Sequence, residues 1–358
     1  MRLGTMSDFP GGLLPLYRPA YTVASKETSM LRRLILILPL LCCGPILAAE
    51  VTDSTGRTVQ VPDNISHVLP AGPPAAILLE AIAPDLMIGW PGPLSDDAKA
   101  LLPDSANHPR IPRLTGREDV TDKIKALKPD LILDYGEVTP RYFELAQATQ
   151  QKTGIATLLF AGSLDNIPRV VREVGAILHR QARAETLATF AEAMLALPVK
   201  PLPASFGVHP RVLYARGADG LTVTAPDTDV TEVFKRLGWQ VLAPDGQGTF
   251  RTSSIEAIAA LDPDILIFSD PAMRATLMHP DAWKSVRAIR DGHAFVAPAL
   301  PFGWVEEPPS INRLLGLAWL SGQEPATIAA TFYAVVYGRA MTPPQLDAVL
   351  GDVRSFQQ

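Results

Sequence analysis

Six arginines, Arg113, Arg117, Arg141, Arg216, Arg251 and Arg274, lie on loops at the predicted ends of strands. A guanidinium at such a place suits an anionic ligand, because its planar fork grips a carboxylate or oxyanion through two parallel hydrogen bonds. Arg216 and Arg251 are the preferred pair. Aromatic residues sit at the same edges: Trp90, Tyr135, Phe250, Phe302 and Trp304. Trp90, Tyr135 and Trp304 are the candidates for apolar contact with a ligand. The competing reading is core packing for Trp90, and a hydrophobic plug beside the following prolines for Trp304.

Other chemistries find little support. The six histidines, His67, His108, His179, His209, His279 and His293, are scattered and form no His-x-x-x-His pair. A bare zinc or manganese ion needs several nitrogen and carboxylate ligands converging from separate loops, and His108 with His279 is a weak start. A bare ferric ion calls for several tyrosines, and only Tyr135 and Tyr214 lie near strand ends. The chain has no Gly-x-Ser-x-Gly elbow, no Walker A loop and no Gly-x-Gly-x-x-Gly fingerprint. A secreted hydrolase is therefore a remote alternative, and no resident cofactor is expected.

The elements that position these residues alternate. Strands are predicted at 67–70, 86–90, 131–135 and 155–160, with helices at 74–83, 121–128 and 141–154 between them. A hairpin turning at Thr55-Gly56 precedes them. Residues 166–197 carry apolar side chains at helical spacing and predict one long helix, with a break near His179. Alternation then resumes, with strands at 211–216, 239–243, 264–270 and 293–299, and helices at 230–237, 255–261, 280–292 and 310–322. The tail to 358 reads as helical and surface-like. The βα order implies an α/β fold with mostly parallel sheets.

One phrase occurs twice. "IKALKPDLIL" begins at 124 and "IAALDPDILI" at 258, a separation of 134 positions. In each, Ala-Leu packs a helix end, Pro stops the helix, and an aliphatic run enters a strand buried on both faces. Asp130 and Asp264 fall at strand starts, away from the carboxyl-end loops where ligands bind in open α/β sheets. Asp122 and Glu256 occupy matching places near the start of the helices that precede the two strands. Acids there are favoured by the helix dipole.

The formal net charge is −5 and no long basic run occurs. That argues against nucleic acid or an anionic membrane surface as the main partner. Near the N-terminus, "MLRRLILILPLLCCGPILAAE" places Arg32 and Arg33 before a short apolar run and ends on a small-residue site, with the cut expected before Glu50. This is a secretory signal pattern. It contains Cys42 and Cys43, the chain's two cysteines, so the mature protein would have neither disulfide nor thiolate chemistry. A lipid anchor on Cys42 ranks second, because Leu41 stands where a small residue is expected.

The doubled motif, the linking helix and the signal segment together resemble the helical-backbone class of periplasmic substrate-binding proteins of ABC importers, the class of iron-siderophore, haem and vitamin B12 binders. The resemblance covers residues about 51–325. It implies two Rossmann-like lobes, 50–165 and 198–358, joined by a long rigid helix at 166–197. It also implies a ligand held between the lobes, and a monomer that docks on a membrane permease through one acid per lobe, here Asp122 and Glu256. An aspartate departs from the usual glutamate at the first of these. Tyr135 and Trp304 match positions that often line the cleft. The expected cargo is a ferric siderophore, with cobalamin, haem or molybdate/tungstate as alternatives.

Overall fold

In the computed structural model, residues 48–102, 104–351 and 353 are described. The signal segment up to Leu47 and both cysteines lie outside the described residues. Ala48 and Ala49, on the signal side of the expected cut, open strand β1 (Ala48–Thr52), which pairs antiparallel with β2 (Thr58–Pro62) across the predicted turn.

A first sheet follows, three parallel strands in the order β3 (Val68–Pro70), β4 (Leu131–Gly136), β5 (Ala156–Ala161). Helix α1 (Pro73–Ile82) starts on prolines at its first turn, where a missing N–H costs nothing. Short helix α2 (Asp96–Leu101) is capped by Ser95, and α4 (Pro140–Thr153) ends on Gly154 at φ 75. The predicted strand at 86–90 does not form a ladder. Met87 and Trp90 make single bridges, to Val68 and Arg110, after a turn of 3-10 helix at Pro84–Leu86. Pro91 and Pro93 leave too few N–H groups nearby to extend the pairing.

The second sheet is larger. Strands β11 (Ala294–Val296), β10 (Ile265–Phe268), β6 (Arg211–Arg216) and β8 (Gln240–Leu242) run parallel. Along the end of β6, β7 (Thr222–Thr224) pairs antiparallel, and β9 (Phe250–Thr252) extends the sheet antiparallel to β7. Helices α7 (Glu232–Arg236), α8 (Ile255–Leu261), α9 (Met273–Met278) and α10 (Arg287–Arg290) connect these strands.

The linking segment is two helices rather than one rod. Helix α5 (Ile167–Ile177) ends before His179, whose φ of 54 lies in the left-handed region, and α6 (Gln181–Leu195) folds back along it. A left-handed residue breaks the helical hydrogen-bond ladder. The two helices lie so close at Gly175 that a Cβ there would collide with Ala184. Arg172 bridges the pair, bonding Glu185 at 2.8 Å and Glu192 at 2.6 Å. Arg183 then ties α6 to both neighbours, donating to the carbonyls of Ala81, Val335 and Val336.

The tail is also different from its surface-like reading. Helix α11 (Arg313–Leu320) is wholly buried, and α12 (Pro325–Val336) buries Ile328, Ala329, Phe332, Tyr333 and Val336. These recur at three- and four-residue steps, so one face of α12 enters the core. The last helix, α13 (Pro343–Leu350), carries a capping box at Thr342 and Gln345. The main core runs without interruption from Val68 and Leu131 of the first sheet, through α5 and α6, to Tyr214 and Ile265 of the second.

The doubled phrase is a structural clip. Helix α3 (Thr121–Leu127) and helix α8 each have seven residues and end on a left-handed residue before proline, Lys128 at φ 49 and Asp262 at φ 46. The Asp of each Pro-Asp then fastens the neighbouring parallel strand. The Asp130 N–H donates to the His67 carbonyl, and its carboxylate accepts from the backbone N–H groups of Ser66 and His67, each at 2.8 Å. The Asp264 N–H donates to the Arg211 carbonyl, and its carboxylate accepts from the Arg211 N–H at 2.8 Å.

Candidate functional site

The carboxyl ends of β6, β10 and β11 meet beside the loop 297–312. Pleating puts alternate residues of a strand on opposite faces. Arg216 pairs with Thr222, and Thr222 with Thr252, so Phe250, two residues before Thr252, shares the face of Arg216. The guanidinium of Arg216 lies over the Phe250 ring, 4.1 Å from its centre. Its Nε is 2.6 Å from Glu306 Oε1 and 2.8 Å from Glu307 Oε1. Ser269, just past β10, donates its hydroxyl to the same Glu307 oxygen at 3.0 Å. Phe250 is 44% exposed and Arg216 is part-exposed, whereas Glu306 is 2% exposed.

The loop that brings the two glutamates is tightly folded. Trp304 N–H donates to the Pro298 carbonyl, and Gly316 N–H to the Trp304 carbonyl, which pins the loop to α11. A side chain at Gly303 would strike the Glu306 carbonyl, so only glycine fits that turn. Asn312 donates to the carbonyls of Gly303 and Pro308. The loop also reaches the first lobe. Ser310 donates to the Pro74 carbonyl at 2.8 Å, and the Phe302 ring centre is 5.7 Å from that of Trp90.

A second junction lies at the base of the same region. Arg313 is fully buried and donates to the carbonyls of Gly162 and Asp229 and to the Glu232 carboxylate. Glu232 in turn accepts from the Leu164 N–H at 2.7 Å. One guanidinium thus joins the end of the first sheet to α7 of the second lobe.

Residues 91–300 match the family model described as periplasmic binding protein. The chain belongs to this family. No curated protein matches its sequence. Its fold is similar to that of an ABC transporter solute-binding protein from Sulfurospirillum deleyianum, with 21% identity, TM-score 0.75, and coverage of 84% of this chain and 99% of that one. It is also similar to a molybdate periplasmic binding protein of Haemophilus influenzae, solved with molybdate (16%, 0.65, 82% and 99%). A third likeness is to a protein of the Fe3+-hydroxamate transport system of Saccharomonospora viridis (16%, 0.53, 76% and 97%). As a periplasmic binding protein, the chain is an extracytoplasmic solute-binding protein and not an enzyme.

In this binding protein, the predicted ligand residues part company. Trp90 is 4% exposed, and its Nε1 donates to the Ser105 carbonyl at 2.8 Å, the packing role weighed against binding. Tyr135 is 1% exposed, because it shares the inward face of β4 with Leu131 and Leu133. Its hydroxyl faces Arg313 without completing a hydrogen bond, and burial pushes it up to about 12. Trp304 is wholly buried beneath the folded loop, with no hydrogen bond to Nε1. Tyr135 and Trp304 are thus both buried side chains. Arg251 pairs with Val223, on the face opposite Arg216, and donates to the Pro244 carbonyl at 2.7 Å. Arg216 and Arg251 therefore form no joint grip.

Glu306 and Glu307 went unnoticed in the sequence, although the loop 300–308 was expected at the rim. The available signal was two adjacent acids before two prolines, in a loop that also had to end a buried strand. Burial pushes the Glu306 carboxyl up to about 8. The Arg216 charge opposes that shift and the Glu307 charge adds to it. Of the two acids, Glu306 is the buried one, and Glu307 lies nearer solvent opposite Arg216. Across the junction, Glu137 at the end of β4 is raised by burial and then by Asp229 of the second lobe. Asp229 is itself raised by burial, against the pull of Arg313.

Asp122 and Glu256 stand exposed in the first turns of α3 and α8. Glu256 is held below the ordinary carboxylate range by its own backbone N–H and the Ser254 hydroxyl. A groove of about 670 Å³ is lined by α5, α6 and Arg236 of α7, not by the loops around Arg216. Its arginines are cross-braced by acids, Arg169 to Glu173 at 2.7 Å and Arg236 to Asp165.

Proposed function

We propose that this binding protein captures a ferric siderophore between its two lobes and delivers it to the permease. The observation that carries the reading is Arg216, fixed over the exposed ring of Phe250 at the carboxyl ends of the second sheet. A cation on an aromatic face offers both a flat apolar contact and N–H donors, and it suits the organic shell of a chelate better than a bare ion. The rim carries ring surface, and the loop 297–312 spans from it to Trp90 and Pro74 of the first lobe. Capture needs no bond to be made or broken.

Delivery follows from the paired acids. Asp122 and Glu256 sit at the same place on two equivalent helices, one per lobe, and both face solvent. Two carboxylates so placed would meet basic groups on a permease at two separated points.

The test is calorimetric titration of the protein purified from the periplasm with a ferric siderophore, haem, cobalamin and molybdate. The expected result is saturable one-to-one binding of the ferric chelate at micromolar concentration or below. Binding of molybdate alone, or of haem or cobalamin alone, overturns the siderophore assignment.

A further inference from the structure

Arg216 is a part-exposed cation at the rim, and its two edges are used differently. Both glutamates approach Nε, at 2.6 Å and 2.8 Å. Among the described residues, neither Nη group of Arg216 has a hydrogen-bond partner. The guanidinium is therefore anchored along one edge, packed on Phe250, and unbonded along the other. Its charge is already matched by Glu307, which also holds the Ser269 hydroxyl.

Glu307 occupies this place at a cost. Its φ is 73, in the left-handed region that favours glycine. A non-glycine residue held there against local preference marks a side chain that the surrounding structure has fixed in place. Glu306, the next residue back, is 2% exposed, and its Oε1 has no aligned hydrogen bond although it lies against Arg216. A buried carboxyl is normally well bonded, and one that is not calls for an explanation. Together the two residues read as parts of a device that sets the position and charge of Arg216.

We infer that Glu306 and Glu307 are the specificity-determining residues of the site. They hold Arg216 by its Nε edge and Glu307 matches its charge, so its Nη edge takes the uncharged acceptor oxygens of a ligand of low net charge. Carbonyl-type oxygens, as in amide or hydroxamate groups, fit that edge. A multiply negative chelate or a free oxyanion would face Glu307 at the same guanidinium, and like charges at that range repel. This inference rests on the chelate reading and narrows it, and it reverses the sequence expectation that Arg216 marks an anionic ligand.

The experiment compares an uncharged ferric trihydroxamate, a triply negative ferric tricatecholate and molybdate by calorimetry, in wild type, Glu307→Gln, Glu306→Gln and Arg216→Gln. Wild type is expected to bind the trihydroxamate at least tenfold tighter than the tricatecholate. Glu307→Gln is expected to shrink that ratio tenfold or more by strengthening the tricatecholate, and Arg216→Gln to weaken the trihydroxamate at least tenfold. A wild type that prefers the tricatecholate overturns the inference while leaving the siderophore reading intact. So does a preference that survives both glutamate substitutions unchanged. Binding of neither iron chelate overturns the siderophore reading itself and the charge selection with it. The wild-type comparison needs no variant, so a substitution that fails to fold does not shield the inference.

Discussion

The two copies of the Pro-Asp clip share a helix length, a left-handed cap and a strand-fastening carboxylate, yet the strand ends they lead to differ completely. In the first lobe, the carboxyl end of β4 carries Tyr135, buried and turned into the core, with Glu137 just past the strand. In the second, β10 is followed by Ser269, which joins Arg216 and Glu307 at a part-exposed rim, and β7 and β9 add a ledge carrying Phe250. The amino ends of the strands are thus alike and the carboxyl ends are not. Scaffold contacts lie where the copies agree, and candidate recognition lies where they diverge, as expected of a fold that binds beyond the carboxyl ends of its strands.

The largest effect should come from the proposed docking pair, a place at which the two copies agree. Asp122→Ala with Glu256→Ala is expected to reduce uptake of the proposed cargo, a ferric chelate, to background while the calorimetric affinity stays within twofold of wild type. Uptake retained in the double variant would remove the docking role and leave the two acids as dipole-favoured helix starts. If one single variant alone abolished uptake, the two lobes would be unequal at the permease as well as at the rim.

Next comes the tie between the lobes. Arg313 satisfies Gly162, Asp229 and Glu232 at once from a fully buried position. Breaking a buried pair by removing one partner costs about 3–5 kcal/mol, since it leaves the other charge buried without compensation. Arg313→Ala should therefore lower stability by about 3 kcal/mol, read as a fall in the urea midpoint at unchanged slope. A shallower slope instead would show the lobes unfolding separately, and so would weaken the view of one continuous core.

Much of this was legible in the residues themselves. The strands 131–136 and 211–216, the helix 255–261 and the clip all announce themselves through local rules: aliphatic runs, proline stops and 3.6-residue spacing. The fold-back at His179 was harder, because a break in a helical pattern says nothing of the angle that follows it. The buried face of α12 was missed for a related reason: besides the neighbouring α11, its apolar residues pack on α6, far away in sequence. The rim was half legible. Arg216 was selected by its place at a strand end, whereas its pairing with Glu306 and Glu307 spans about 90 positions and depends on the path of loop 297–312. Arg251 was misjudged because whether it shares a face with Arg216 depends on strand register, which composition does not reveal.

The smallest expected effect separates the two clips from each other. Asp130 accepts from three donors, the Ser66 and His67 N–H groups and the Ser66 hydroxyl, whereas Asp264 accepts from one backbone N–H and pairs its other oxygen with Arg287 at 2.8 Å. Hydrogen bonds to a charged group are worth about 1.5–3 kcal/mol at the upper end of the usual range, and both carboxylates are part-exposed, so the lower figure applies. Asp130→Ala should cost about 2 kcal/mol and Asp264→Ala about 1 kcal/mol in urea unfolding at pH 7. The acid limb sharpens the contrast. Burial raises the Asp130 carboxyl, but the donors of Ser66 and His67 outweigh it and hold the group below its ordinary value of 3.8. A carboxyl depressed in the folded state stabilises above its unfolded pKa and loses that contribution as pH falls through the folded one. The stability gap between wild type and Asp130→Asn should therefore be constant above about pH 5 and close progressively below about pH 4. A gap that persists unchanged to pH 2 would mean that Asp130 acts by shape and not by charge. The two clips would then differ only in how many donors they gather.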